Sequence, residues 1–261
     1  MSHPPLKVWE DAQQSVYQGD CLEVLRTAIP DSSIDLVFAD PPYNIGKRFG
    51  TFSDSWPSEA SYVSWCQQWL DLCVQKLKPH GSLYLMASTQ CMPWLDLHLR
   101  AQLHILSRIV WTYDSSGVQA RRHFGSLYEP ILFAVKNPRH YTFNAEAIQV
   151  EAKTGAQRQL IDYRKNPPAP YSNTKVPGNV WHFSRVRYRM PEYQQHPTQK
   201  PEALLERIIL ASSQPGDQIL DPFAGSFTTA AVAQRLQRQM ISIEQNPDYV
   251  QAGLKRLGFL D

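Results

Sequence analysis

The chain has 261 residues, of which 43% are hydrophobic, and this length suits one large α/β domain with an insertion or two small domains. No apolar run approaches the roughly 18 residues of a membrane helix, and the N-terminus lacks the charged start and apolar segment of a secretory signal. The four cysteines show no metal-type pairing, so we expect a cytoplasmic protein with neither a metal nor a membrane partner.

The formal net charge of +2 is distributed unevenly along the chain. Residues 137–195 contain 9 Lys and Arg against 4 Asp and Glu, a net charge of +5, and the remainder carries −3. A basic segment between slightly acidic ones is typical of a module that contacts phosphate beside a core with another task. A solvated basic face gives the same excess.

The first candidate residue is Asp20, at the end of a short predicted strand, residues 15–20, which ends in Gly19-Asp20. Cys21 and the next four residues have helical spacing, so Asp20 is a typical N-cap for the helix that they predict. Helix capping alone explains an acid at this position.

The turn Asp40-Pro41-Pro42-Tyr43 follows an apolar run, residues 34–39, which predicts a buried strand. Two prolines cannot continue a strand, so the chain leaves the sheet at its carboxyl end, where ligands bind in open α/β sheets. Because neither proline has an N–H, the Asp40 carboxylate and the Pro41 carbonyl pair as acceptors for an exocyclic amino group. Tyr43 offers a face for base stacking, worth roughly 1–3 kcal/mol. The alternative is a strand followed by a rigid turn.

The middle of the chain alternates between predicted helices and strands. Helices are predicted for residues 58–77 and 94–101, and strands for residues 82–87, 104–111 and 128–135. Pro130, near the start of the last strand, predicts an edge position in the sheet. The alternation predicts a mostly parallel sheet with right-handed crossovers.

Basic residues in loops and in the segment 137–195 are candidates for contacts with phosphate groups, although loop arginines are usually just solvated. Three arginines near the end of that segment alternate with other residues, and an extended chain would project them from one face. The candidates are Lys47, Arg48, Arg121, Arg122, Arg164, Lys165, Arg185, Arg187 and Arg189.

The last third of the chain repeats the pattern of a strand that ends in an acid. The run 219–229 predicts a strand ending in Asp221, a tight turn at Gly225 and a helix that begins near Thr228. A further strand ends in Glu244, which is well placed to accept hydrogen bonds from two ribose hydroxyls. Asn246 predicts the cap of the final helix.

Together, Asp40-Pro41-Pro42-Tyr43 and Asp221-Pro222-Phe223-Ala224-Gly225 resemble the motifs of DNA amino-methyltransferases, which use S-adenosylmethionine (AdoMet). The catalytic motif comes first, an order similar to that of the β class, and the resemblance covers nearly the whole chain. It implies an α/β, Rossmann-like AdoMet-dependent methyltransferase fold, circularly permuted, with a small basic target-recognition insert. Its expected parts are a catalytic half (residues 1–136), the insert (137–195) and an AdoMet-binding half (196–261).

The resemblance also implies the cofactor site. The residues around Asp20 contribute to the adenosine pocket, and Thr198 and Lys200 hold the carboxylate of the methionine part. The implied cofactor-binding residues are Asp20, Cys21, His196, Thr198, Lys200, Asp221, Pro222, Phe223, Ala224, Gly225, Ser226, Thr228 and Glu244. The family usually has a second glycine where this sequence has Phe227, so we expect this side chain to narrow the pocket or to weaken AdoMet affinity.

The implied catalytic residues are Asp40, Pro41, Pro42 and Tyr43, and the implied partner is double-stranded DNA. The target base flips out of the duplex and stacks on Tyr43, and its amino group donates hydrogen bonds to Asp40 and to the Pro41 carbonyl. Direct methyl transfer follows. No cysteine lies near the motif, which argues against methylation of cytosine at carbon 5.

With Asp at position 40 the sequence resembles the adenine-N6 enzymes, whereas many cytosine-N4 enzymes have Ser at this place. Cytosine-N4 methylation is therefore the first alternative. Methyltransferases of RNA or of protein glutamine usually have Asn instead of Asp40 and the cofactor motif first. A DNA-binding module that has lost catalysis is the alternative from another class. The sequence leaves a homodimer open.

Overall fold

A computed structural model describes residues 6–49, 52–114, 121–153 and 159–260. Nine strands within these ranges form one sheet. They are β1 (Leu6–Glu10), β2 (Gln14–Gln18), β3 (Ile34–Ala39), β4 (Leu77–Met86), β5 (His104–Thr112), β6 (Tyr128–Val135), β7 (Val180–His182), β8 (Gln218–Asp221) and β9 (Gln239–Glu244). In space they follow the order β1-β2-β9-β8-β3-β4-β6-β5-β7.

The sheet is mostly parallel, as the alternation of strands and helices predicts. Strands β2, β9, β8, β3 and β4 pair in parallel with one another in this order, and β7 pairs in parallel with β5. Antiparallel pairing is confined to β1 against β2 and to β6, which lies between β4 and β5. The reversed direction of β6 brings its first residues to the edge where the parallel strands end.

Helices cover both faces of the sheet, and each face has its own hydrophobic core. The helices are α1 (Cys21–Thr27), α2 (Glu59–Lys76), α3 (Met92–Arg100), α4 (Glu202–Ser212), α5 (Thr228–Arg235) and α6 (Pro247–Arg256). Residues of α1 to α3 form one core with Val37 of β3, and residues of α4 to α6 form the other with Leu36 and Phe38. The central strand β3 is therefore buried on both sides, as its continuous apolar run predicts. No helix in the described ranges has the length and apolarity needed to cross a membrane.

Two predictions about strands need correction. The strand that contains Pro130 does not lie at the edge of the sheet, since β6 has β4 and β5 on its two sides. Pro130 is tolerated because β4 ends at Met86, opposite Ile131, so the chain at Pro130 pairs with β5 alone. The strand predicted from residue 82 begins earlier, at Leu77, because the chain passes directly from α2 into extended backbone.

The segment 137–195 is irregular over most of its described length and contains short paired strands of two residues, such as Val150–Glu151 with Thr174–Lys175. Its final part, β7, belongs to the main sheet as the edge strand beside β5. The segment is therefore not separate from the sheet over its whole length.

Phe227, at the start of α5, has an unusual backbone conformation for a large side chain. Its φ is +58°, in the left-handed region that glycine prefers. The ring is fully buried and packs against α6 at Gly253, where an added Cβ would overlap the ring. The pair is complementary, because Gly253 leaves the volume that the Phe227 ring fills.

We expect Gly253→Ala to lower the free energy of unfolding by about 1–3 kcal/mol, because the new methyl group overlaps a fully buried ring. Thermal unfolding followed by circular dichroism measures the change. Gly178→Ala is the matched control, since a Cβ there meets nothing within 4 Å, and it should unfold at the wild-type temperature. Equal unfolding temperatures for the two variants would contradict this packing.

Candidate active site

A cavity of about 690 Å³ opens at the edge of the sheet where the parallel strands end. Four acids at or just after the ends of β2, β3, β8 and β9 line it, and they are Asp20, Asp40, Asp221 and Glu244. Parallel strands share this edge, so the sheet topology brings the four acids together. The predicted catalytic residues and all the predicted cofactor-binding residues line this same cavity. The individual roles stay predictions.

The turn between β8 and α5 is held by two of these acids. Glu244 accepts hydrogen bonds from the N–H groups of Gly225 and Asn246, both at 2.8 Å. Asp221 accepts from the Thr229 hydroxyl at 2.6 Å and from the Phe223 N–H at 2.9 Å. Burial raises the pKa of the Asp221 carboxyl to about 7, against the effect of these hydrogen bonds. The acids therefore fix the backbone of the turn as well as lining the cavity.

Gly225 and Arg256 both help to shape this turn. Gly225 has a φ of +50°, and a Cβ on it would lie 3.0 Å from His196 Nε2, so a side chain there would crowd the cavity wall. Arg256 of α6, which the sequence analysis missed, donates to the Ser226 carbonyl at 2.8 Å and pairs with Glu202 at 2.6 Å. An arginine in the last turn of a helix has many surface roles, so its position in the sequence gives no signal of this contact.

The expectation that Phe227 narrows the cofactor pocket is wrong. The left-handed backbone at this residue directs the ring into the core beside Gly253, and the cavity wall is formed by its neighbours Ser226 and Thr228. The side chain therefore gives no reason to expect weak AdoMet affinity.

Beside this turn, at the end of the neighbouring strand β3, Asp40 and Tyr43 join two further residues in a compact polar cluster. Lys200 Nζ lies 2.6 Å from Asp40 Oδ2 and 3.5 Å from Glu129 Oε2. The Tyr43 hydroxyl lies 2.8 Å from Asp40 Oδ1 and 2.8 Å from Glu129 Oε2, so its one proton serves one carboxylate at a time. The Tyr62 hydroxyl donates to the Pro42 carbonyl at 2.7 Å and holds the turn in place.

Lys200 is thus in contact with the predicted catalytic acid. From the resemblance we expect it to hold the carboxylate of AdoMet, and that role stays a prediction. In the structure its ammonium group is paired with Asp40 and lies 5.3 Å from the centre of the Tyr43 ring. The charge of Lys200 therefore acts directly on the acid that is predicted to receive the amino group.

Glu129 was missed by the sequence analysis, although it lies in a predicted strand. It is the second residue of β6, and an acid at the start of a strand gives no signal when the strand is assumed to be parallel. Because β6 runs antiparallel to β4 and β5, its start lies at the same edge as the end of β3. Recognising the reversed strand would have placed Glu129 in the cavity.

Burial and charge have opposite effects on this cluster. Burial raises the pKa of Asp40, and the neighbouring Lys200 ammonium partly offsets that rise. Burial alone would lower the pKa of Lys200, but the carboxylates of Asp40 and Glu129 outweigh it and raise the pKa above its usual value. Burial also raises the pKa of Tyr43 well above its usual value, so its hydroxyl keeps its proton. Lys200 therefore keeps its positive charge, and that charge favours the ionised form of Asp40.

The candidate DNA-binding residues fall into different environments. Lys47 and Arg185 line the cavity. Arg121 and Arg122 are exposed and precede the lining residue Ser126 by a few residues in the chain. Arg164 pairs with Asp162 at 2.8 Å, and Lys165 donates to the Pro170 carbonyl at 3.1 Å. The side chain of Arg48 lies outside the described part of the chain.

The proposed face of three arginines after β7 does not form. The strand ends at His182, and the chain turns at residues 187–190, where the Met190 N–H donates to the Arg187 carbonyl at 3.1 Å. Arg189 has a φ of +72°, which is incompatible with a strand. Arg185 instead lies over the Tyr113 ring, 5.0 Å from its centre, at the cavity wall.

The sheet and the acids at its carboxyl edge define the class of Rossmann-like folds that bind a nucleoside at this edge. Residues 34–255 match the model of a family described as DNA methylase. The DNA adenine methyltransferase YhdJ of Escherichia coli (strain K12) is 59% identical over 244 residues, which are 94% of this chain and 82% of that relative. The chain therefore belongs to the DNA methylase family.

Solved structures share the fold at lower identity. The PvuII DNA methyltransferase (cytosine-N4-specific) superposes with a TM-score of 0.72 at 21% identity, over 98% of this chain and 89% of that chain. The M1.HpyAVI–SAM complex superposes with a TM-score of 0.63 at 23% identity, over 94% of this chain and 98% of that chain. These likenesses establish the common fold alone.

We expect Lys200→Met to move the acid limb of the pH–rate profile to higher pH, because the pKa of Asp40 rises further without the ammonium charge. Initial methylation rates measured on genomic DNA between about pH 5 and pH 9 test this. Lys7→Met is the matched control, since it removes a lysine from an ion pair of 2.7 Å with Glu10, a residue of β1. An acid limb at the wild-type pH in Lys200→Met would contradict the coupling between Lys200 and Asp40.

Proposed function

We propose that the protein transfers the methyl group of AdoMet to the N6 amino group of adenine in double-stranded DNA. The observation that carries the proposal is the position of Asp40, whose carboxylate shares one cavity with Asp20, Asp221 and Glu244. The cavity thus presents an acceptor for an amino group close to acids suited to a nucleoside. The 59% identity to a DNA adenine methyltransferase supports adenine as the base.

The residues on the cofactor side fit AdoMet. Glu244 is the last residue of β9 and accepts hydrogen bonds from two backbone N–H groups, which leaves lone pairs for ribose hydroxyls. The pKa of His196 is lowered to about 4, mainly by burial and further by the charges of Lys200 and Lys47. The ring is therefore neutral at pH 7. A neutral ring places no positive charge beside a sulfonium. When bound, AdoMet supplies an electrophilic methyl group, and the solved M1.HpyAVI–SAM complex has the same fold.

On the base side, Asp40 has capacity left for the substrate. Its two oxygens each make one contact, with Tyr43 and with Lys200, and a carboxylate oxygen accepts more than one hydrogen bond. An adenine inside a duplex cannot reach this carboxylate, so the base flips out and stacks on Tyr43. Tyr62 fixes the turn, so the acceptors are held in place before the base arrives.

Asp40 then acts on the charge that develops during the reaction. As the bond between the amino nitrogen and the methyl group forms, the bond between that methyl group and the sulfonium sulfur breaks. The nitrogen becomes positive, and the buried carboxylate stabilises that charge. Lys200 favours the ionised form of Asp40, and Glu129 offsets the charge of Lys200, so the cluster has a net negative charge near the nitrogen when both acids are ionised. After the transfer, the methylated nitrogen releases one proton to water, which restores a neutral amino group.

Two alternatives, a covalent mechanism and an inactive module, lose their support. Cys21 lines the cavity, but burial raises the pKa of its thiol well above the usual value, so it is a poor nucleophile for a covalent route. The alternative of an inactive module loses support because the Phe227 ring, which departs from the family pattern, lies in the core and leaves the cavity open. Direct transfer to an amino group uses the residues that the cavity presents.

The proposal is tested with purified protein, tritiated AdoMet and unmethylated bacterial DNA, followed by nucleoside analysis of the digested product. We expect label in N6-methyldeoxyadenosine, and sequencing of the methylated DNA then maps the target site. Label in N4-methyldeoxycytidine would overturn the choice of base and keep the mechanism. Absence of label, with AdoMet bound, would overturn DNA as the substrate.

We expect Asp40→Ala to lower the methylation rate by roughly 10²–10³-fold or more, because the amino group loses its charged acceptor. AdoMet affinity, measured by calorimetry, should change little, since Asp40 lies on the base side of the cavity. Glu10→Ala is the control, because it removes an exposed acid of β1 and should retain the wild-type rate. A variant at Asp40 that keeps its turnover would contradict the role assigned to this residue.

A further inference from the structure

We propose that Phe124 inserts into the DNA stack at the place that the flipped adenine vacates. The inference rests on the proposed function, since it concerns the same base and the same cavity. It assigns a purpose to a side chain that the fold itself does not use.

Phe124 is exposed to a degree that folding does not explain. Its relative exposure is 103%, compared with 81% for Tyr163 and 74% for Tyr188, the next most exposed aromatic residues in the described ranges. A phenylalanine exposed to this degree packs against nothing in the protein, and its apolar surface stays in water. Isolated apolar residues are common at protein surfaces, so the location of this one decides its meaning.

Phe124 lies close in the chain to residues that line the cavity. Two residues later, Ser126 lines the cavity wall, which places the two within about 7 Å along an extended chain. The chain then enters β6, whose first residues Tyr128 and Glu129 also line the cavity. Glu129 contacts Tyr43, the residue proposed to stack on the flipped base. The exposed ring is therefore tied through a short stretch of chain to the site that receives the base.

The neighbours of Phe124 suit a surface that lies against a phosphate backbone. Arg121, Arg122 and His123 precede it directly, and all three are exposed. Lys47 and Arg185, which line the cavity, supply further positive charge. Cations at this position hold a duplex close to the ring without reading its sequence.

A base that leaves the duplex costs stacking and pairing energy, and it leaves a gap between its neighbours. Proteins that deform DNA insert apolar side chains between base steps, where an aromatic ring replaces part of the lost stacking. Such a side chain must be apolar, free of the protein core, close to the base pocket and held against the phosphates. Phe124 is apolar, free of the core and close to the cavity, and the exposed arginines before it are suited to contact the phosphates.

Ile45 is the nearest rival. It follows Tyr43 by two residues, lines the cavity and is 57% exposed. Its aliphatic side chain stacks less well on bases, and it lies in the wall of the cavity, whereas Phe124 stands clear of it. The two residues can be separated by experiment, because both sit on the surface and their truncation should leave the fold intact.

The experiment measures single-turnover methylation by full-length protein on two duplexes that carry the mapped target site. In one the adenine faces thymine, and in the other it faces an abasic position, which removes the cost of breaking the pair. We expect Phe124→Ala to lose roughly ten-fold or more in rate on the paired duplex and to recover most of it on the abasic one. Phe124→Trp should keep the wild-type rate on both, and Leu97→Ala, which truncates an exposed residue of α3, serves as the surface control.

Equal losses on both duplexes would overturn the proposal, because they would indicate a general role in binding. An unchanged rate on the paired duplex would overturn it as well, and the recovery pattern in Ile45→Ala alone would transfer the role to Ile45. Failure of the wild-type protein to methylate either duplex would instead contradict the proposed function. AdoMet affinity should be unchanged in all the variants.

Discussion

The site depends on one constraint, which is that parallel strands end at a common edge of the sheet. Strands β2, β3, β8 and β9 each deliver an acid there, although their positions in the sequence range from residue 20 to residue 244. Strand β6 runs the opposite way, so it contributes Glu129 from its start to the same edge. The cavity is therefore a consequence of strand order and direction, and its two halves are brought together only by the fold.

Within that cavity, the ion pair between Lys200 and Asp40 links the two halves. Lys200 comes from the segment before α4, which precedes the cofactor turn, whereas Asp40 follows β3. A buried carboxylate on its own has a raised pKa and loses charge, so it needs a nearby cation to remain a strong acceptor. The cation cannot neutralise the site completely, because Glu129 supplies a second negative group. The balance of two acids and one lysine suits a substrate nitrogen that becomes positive.

Much of this arrangement follows from the sequence, because the signals are local. A proline pair after an apolar run marks the end of β3, Asn246 caps α6 as predicted, and the acids after strands indicate the cavity. Pairing between distant strands has no local signal, so the interior position of β6 and the role of Glu129 were missed. Phe227 was misjudged for the same reason, since its ring is accommodated by Gly253, which lies 26 residues further along the chain.

The most direct test is a crystal structure of the protein with a duplex that contains the target site and an AdoMet analogue without a transferable methyl group. The account predicts the target adenine outside the helix, its N6 within about 3 Å of an Asp40 oxygen, and its ring stacked on Tyr43. An adenine bound elsewhere in the cavity, or left in the duplex with the analogue in place, would contradict the account.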